Sequence, residues 1–238
     1  MSQAQSQHGR AADFRNFQAD FPLQDRAIYQ TLFERNKDRI TTNKAKFAVV
    51  NLEKIFTATF ELTPRIGFPM MSLRDLSRAT GLSMGGIYSY IESKERIAIM
   101  VKDLVKLVID ELLVRAMSLS SAPLTALETM IREHIFAAEM LQDWFSFLYF
   151  ETRSLPHEHQ EDSKNIELQI ESAMHELIDR VRRDRDIACG NSPIIATTLI
   201  ALIQDRYLKP WKHSKSGESA DDYAQQVLAL MHCAIEHP

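Results

Sequence analysis

The sequence predicts an all-α fold. Nearly every segment repeats its apolar residues at a helical period and none alternates for long, and 238 residues include only 7 glycines and 8 prolines to make turns. With 45% apolar and 25% charged residues the chain can bury a core in one or two domains. It holds no run of about 18 apolar residues for a membrane span. The opening "MSQAQSQHGRAADF" lacks the regions of a signal peptide, so a cytoplasmic location is expected. Cys189 and Cys233 have neither disulfide-framework nor zinc spacing and are expected to be free, buried thiols.

Taken in order, residues 1 to 22 are polar and aperiodic and read as a mobile arm, and "LQDRAIYQTLFERNKDRI" adds a short helix. From Lys44 to about Leu62, Val49, Leu52, Phe56 and Phe60 keep to one face, and Pro64 and Gly67 end the helix. Ser72, with Asp75 three residues on, caps a helix that buries Leu73 and Leu76, and Gly81 supplies a left-handed stop. Ser83 caps a further helix with Ile87 and Ile91 inward.

Residues 93 to 117 carry Ile97, Val101, Leu104, Val108 and Leu112 on one side, a helix able to link two domains. "PLTALETMIREHIFAAEML" and the aromatic "DWFSFLYFETRSLP" follow, then a helix over 163 to 186 with Ile166, Ile170, Met174, Leu177 and Val181. The segments 192–211 and 219–236 form an antiparallel pair whose apolar faces suit a four-helix homodimer interface or, alternatively, an intramolecular core.

Charge is uneven along this chain of net charge -4: residues 35 to 102 hold 12 basic and 6 acidic side chains, and residues 103 to 238 hold 13 and 22. Such a basic middle segment suits contact with a polyanion, although a solvated basic surface gives the same count. Inside it lies "GLSMGGIYSYIESKE", with two consecutive glycines in a short helix where each costs roughly 1 kcal/mol against alanine. Two short helices joined through "TGLS" match a helix-turn-helix, whose second helix enters the DNA major groove. There, Gly85 and Gly86 would let the backbone approach phosphates closely; a flexible loop is the alternative.

The stretch "GFPMMSLRDLSRATGLSMGGIYSYIESKERI", residues 67 to 97, resembles the DNA-binding module of the tetracycline-repressor (TetR) family of bacterial transcription regulators. The resemblance implies a helix-turn-helix domain over 44–97 after an extension of 1–43, and an effector-binding and dimerisation domain over 98–238. It implies phosphate contacts from Ser72, Tyr88, Tyr90 and Lys94, and a groove-facing edge of Ser83, Met84 and Gly86. Lys44 and Lys46 could reach phosphates or the minor groove near the first helix. Partners would be double-stranded operator DNA and a small effector, with repression relieved by ligand.

For the effector, Trp144, Phe147, Leu148 and Glu151 recur at three and four residues, a stripe that suits a pocket wall or plain core. "FLYFETRSLP" more loosely resembles the C-terminal domains of TetR-type regulators of fatty-acid metabolism. With Leu104, Val108, Met130 and His134 these residues would line a largely apolar site for a fatty acyl compound or a hydrophobic drug. No catalytic residue, cofactor or metal site is expected: His157 and His159 fit a polar loop better than a metal centre, and no phosphate-cradling glycine loop or nucleophile elbow occurs. A helical ligand-binding or enzymatic module without DNA binding is the alternative.

Overall fold

The computed structural model describes residues 13–41, 44–119, 122–187 and 191–236, and among them twelve α-helices and no strand. In chain order these are α1 (Phe14–Asp20), α2 (Asp25–Asn36), α3 (Ala45–Ile66), α4 (Leu73–Thr80), α5 (Met84–Tyr88) and α6 (Lys94–Met117). Then come α7 (Pro123–Met140), α8 (Gln142–Glu151), α9 (His157–Arg185), α10 (Ser192–Leu208), α11 (Pro210–Ser216) and α12 (Ala220–Glu236). The all-α expectation is met. Among the described residues no helix is long and apolar enough to cross a membrane.

The chain divides into two compact units, and α6 and α9 pass from one into the other. One unit takes Pro22–Val108 and Asp143–Ile166, which gathers α2 to α5, the start of α6 and nearly all of α8. Its core holds Leu52, Ile55 and Phe56 of α3 with Leu76, Ile87, Ile91 and Ile97, all at full burial.

The other unit combines α1, the rest of α6 from Ile109, α7, the later part of α9, and α10 to α12. Here α7 is central, with α10 and α12 packed on it and twelve of its residues buried. Within it Arg115 and Glu133 make a two-pronged ion pair (2.7 and 3.2 Å) at 7% and 2% side-chain exposure.

Several sequence expectations are corrected. The arm is not aperiodic throughout: Asp13 caps α1 by accepting from the Asn16 amide, and Phe14 and Phe17 set their rings 5.5 and 5.7 Å from that of Phe136. Residues 1–12 lie outside the described residues. Helix α3 does not stop before Pro64 but runs through it to Ile66. Proline costs one bond to the carbonyl four residues back, and in the exposed last turn only Phe60 loses a partner before Gly67, at φ 78, turns the chain.

His157 and His159 begin α9 rather than forming a loop, and the segment after Tyr207 breaks at Lys209 because Pro210 starts α11. Cys233 is exposed on α12 rather than buried, and Cys189 lies outside the described residues.

Candidate nucleic-acid interface

Helix α4 begins with a complete capping box. The Ser72 hydroxyl accepts from the Asp75 amide while the Asp75 carboxylate accepts from the Ser72 amide. Hydrogen bonds from the Ser72 side chain and backbone hold the Asp75 carboxyl below its ordinary value, so the cap persists in mild acid. Gly81 ends the helix at φ 71, a conformation that strains any residue with a Cβ. Ser83 then caps α5 by accepting from the Gly86 amide at 3.1 Å, and Ile87 roots this short helix in the core at full burial.

This arrangement leaves one edge outward: Ser83, Gly85 and Tyr88 are exposed, Tyr88 at 53%, and Met84 is half-buried. The two glycines do different things. A Cβ on Gly85 would meet nothing within 4 Å, so its backbone stands bare at the surface. A Cβ on Gly86 would lie 3.3 Å from the Ser83 Oγ and 3.6 Å from Leu82 Cβ, so Gly86 makes room for the cap. Open space beside the backbone is thus found at Gly85 and not at Gly86.

Of the residues read as phosphate contacts, Tyr88 stands out from the surface, whereas Ser72 has its hydroxyl engaged in the capping box. Tyr90 is only 8% exposed, and its hydroxyl accepts from Asn51 Nδ2 at 2.8 Å. An oxygen that accepts there still has its own proton to give outward. Lys94 is tied inward: its Nζ donates to the Pro69 carbonyl at 2.6 Å and sits 5.4 Å from the Phe68 ring centroid. Lys44 and Lys46 are exposed at the start of α3, with the Lys44 Nζ 5.9 Å from the ring of the exposed Phe47.

Neither protein-family models nor curated proteins match the sequence. Solved structures do. A bacterial regulatory protein of the TetR family from Rhodococcus superposes with a TM-score of 0.66 at 16% identity, over 78% of this chain and 96% of that one. AibR, solved in complex with isovaleryl coenzyme A and operator DNA, gives 0.60 at 14% identity, over 76% and 97%. FadR from Bacillus subtilis, solved with stearoyl-CoA, gives 0.55 at 15%, over 77% and 98%. The chain has the TetR-regulator fold.

On that fold, α3, α4 and α5 make the helix-turn-helix module, and Asn51 and Thr41 support it without having stood out in the sequence. The Thr41 amide donates to the Ser89 carbonyl at 3.0 Å, fastening the segment before α3 to the turn after α5. Such partners are distant in sequence, and neither residue type signals the contact by itself.

The α8 stripe, which suits a pocket wall or plain core by its spacing, packs on aromatic neighbours. Trp144 stacks on Phe56 (centroids 4.9 Å) and meets Phe60 edge-on at 5.0 Å, while Phe147 meets Phe68 edge-on at 4.9 Å. Aromatic pairs of this geometry add about 0.5–1.5 kcal/mol each beyond area burial. The stripe thus serves first to hold α8 against α3 and the Phe68 turn. Leu148 is buried at 9%, and Glu151 accepts from the Ser154 hydroxyl at 3.0 Å. Leu104, Val108 and Met130 are fully buried, and burial pushes the His134 imidazole down from 6.5 to about 4. Among the described residues no group of three His, Cys, Asp or Glu could hold a metal ion.

Proposed function

We propose that the chain is a TetR-family transcriptional regulator: a homodimer that binds a palindromic operator through α4 and α5 and is released by a small, largely apolar effector. The observation that carries this is the outward edge of α5, where a capped helix start presents Ser83, Met84, Gly85 and Tyr88 while Ile87 anchors its back in the core. A helix start combines bare backbone N–H groups with a favourable dipole for phosphates, and Met84 supplies apolar contact suited to thymine methyl groups. Base readout by hydrogen bonds would be sparse, leaving DNA shape to add specificity.

Dimerisation is assigned to α10 and α12, within 192–211 and 219–236. Ile194 and Leu230 are 61% and 55% exposed in the single chain, as expected of a face completed by a second copy. A two-fold dimer would present half-sites about 34 to 36 Å apart, or a multiple of that.

For the effector we favour a fatty acyl compound, with a hydrophobic drug or aromatic next. Two proteins of this fold are named with coenzyme A thioesters, isovaleryl and stearoyl. Release would follow only to the extent that the ligand binds the DNA-free state more tightly.

The test is a gel-shift with the DNA upstream of the protein's own operon at two salt concentrations, repeated with an acyl-CoA series. Sequence-specific retardation that weakens steeply with salt and is reversed by one chain length is expected. Acyl binding without any DNA retardation would instead establish the module that binds ligand alone.

A further inference from the structure

Helices α2 and α6 line a half-open recess of about 320 Å³ formed by Leu32, Arg35, Asn36, Arg96, Asp103, Leu104 and Leu107, all within the unit that carries the helix-turn-helix. Its volume lies at the small end of the range of about 300–1,000 Å³ typical of small-molecule sites. The lining is divided by chemistry. Leu32 and Leu104 are buried and Leu107 half-buried, making an apolar wall, while Arg35 and Arg96 bring two guanidinium groups.

Arg96 is held in place from behind. Asn36, 5% exposed, donates from Nδ2 to the Leu32 carbonyl at 2.6 Å, which fixes its amide so that Oδ1 accepts from Arg96 Nη2. The Arg96 Nε is itself buried and has no hydrogen-bond partner in the protein. A guanidinium carries five donors, so Arg96, with Nη2 engaged by Asn36, keeps further donors for an acceptor in the recess.

We propose that this recess binds a small amphipathic carboxylate, its charged end on Arg96 and Arg35 and its short aliphatic chain along Leu32, Leu104 and Leu107. Asp103, on the same wall, makes an ion pair with Lys102 at 3.3 Å and disfavours a second negative charge in the ligand. A monoanion with an apolar tail meets all of these conditions. The recess shares Leu104 with the residues read as lining an acyl site, but it adds α2, from the extension before the helix-turn-helix, and two arginines that select a free carboxylate, which a thioester lacks.

The test is isothermal calorimetry and thermal unfolding of the full-length protein with hexanoate, hexanamide and inorganic phosphate as probes. Hexanoate should bind and raise the unfolding midpoint, while hexanamide and phosphate bind at least tenfold more weakly. Arg35→Gln, at an exposed position, should lose about tenfold in hexanoate affinity while remaining folded, and Leu107→Trp should abolish binding by filling the recess. Equal binding of hexanoate and hexanamide, equal binding of phosphate, or full hexanoate affinity in Leu107→Trp would each overturn the proposal. Operator binding without ligand is measured alongside. Its loss in the unaltered protein would count against the regulator and leave the hexanoate result standing.

Discussion

The Asn51 side chain on α3 donates to the Tyr90 hydroxyl just beyond α5 at 2.8 Å, joining α3 to the chain that leaves the second helix of the helix-turn-helix. The Tyr90 ring is interior, so Tyr90→Phe keeps the packing and leaves the half-buried Asn51 donor without that acceptor. A stability loss of about 1 kcal/mol is expected, together with a weakening of DNA binding that is similar for all sequences. Urea denaturation of Asn51→Ala, Tyr90→Phe and the double variant measures the coupling. Strictly additive losses would show that the contact contributes nothing.

The paired glycines predict opposite outcomes for one added methyl group. Gly85→Ala enters open space in a helix and should stabilise the fold by up to about 1 kcal/mol, yet reduce operator affinity by holding the backbone off the phosphates. Gly86→Ala presses on the Ser83 Oγ at 3.3 Å and risks the cap, whose loss costs about 0.5–2 kcal/mol, so it should be the less stable of the two. Denaturation and gel-shift on both variants check this. Unchanged operator affinity in Gly85→Ala would remove the close-approach account.

These cases also show how far the sequence could be read. Ser72, Asp75, Gly81 and Ser83 act through bonds spanning a few residues, so their roles and the helix limits they set were legible. The burial of Ile97, Val101, Leu104, Val108 and Leu112 along α6 was legible too, because periodicity alone decides it. What escaped depends on partners far away in the chain. Phe14 and Phe17 lie in a stretch that reads as a polar arm, and only Phe136 supplies their surface, while the Pro69 carbonyl engages one of the three Lys94 donors, a contact that no local pattern signals. Trp144 and Phe147 are the sharpest case. A pocket wall and a core seam have the same spacing, and only the positions of Phe56, Phe60 and Phe68 distinguish them.

The Arg115 and Glu133 pair should be costly to halve and cheap to replace whole. With Glu133 2% exposed and Arg115 7%, Glu133→Ala strands a buried guanidinium and should cost about 3–5 kcal/mol. The double change Arg115→Met with Glu133→Leu removes both charges and should recover most of that loss. Phe17 lies against this pair, its ring centroid 5.9 Å from the Arg115 guanidinium carbon, so both variants should also alter proteolytic access to α1. Urea midpoints decide the energetic claim: a double variant no more stable than Glu133→Ala alone would refute it.

His134 predicts the acid response. Burial holds its imidazole down at about 4 against 6.5 for a free side chain, so it is neutral at pH 7 in the folded protein. Because the folded pKa is lower, the unfolded chain takes up the proton first as pH falls. Stability is therefore whole above about pH 6.5, declines between there and about pH 4, and has lost about 3 kcal/mol below it on account of this one group. Carboxylates titrate over the lower part of that window, so the informative quantity is the difference between the protein and His134→Gln. The variant can be less stable at every pH, but its stability should change less steeply from pH 6.5 to pH 4. Unfolding free energies measured at half-unit steps give the two curves, and parallel curves over that range would show that His134 does not titrate on unfolding.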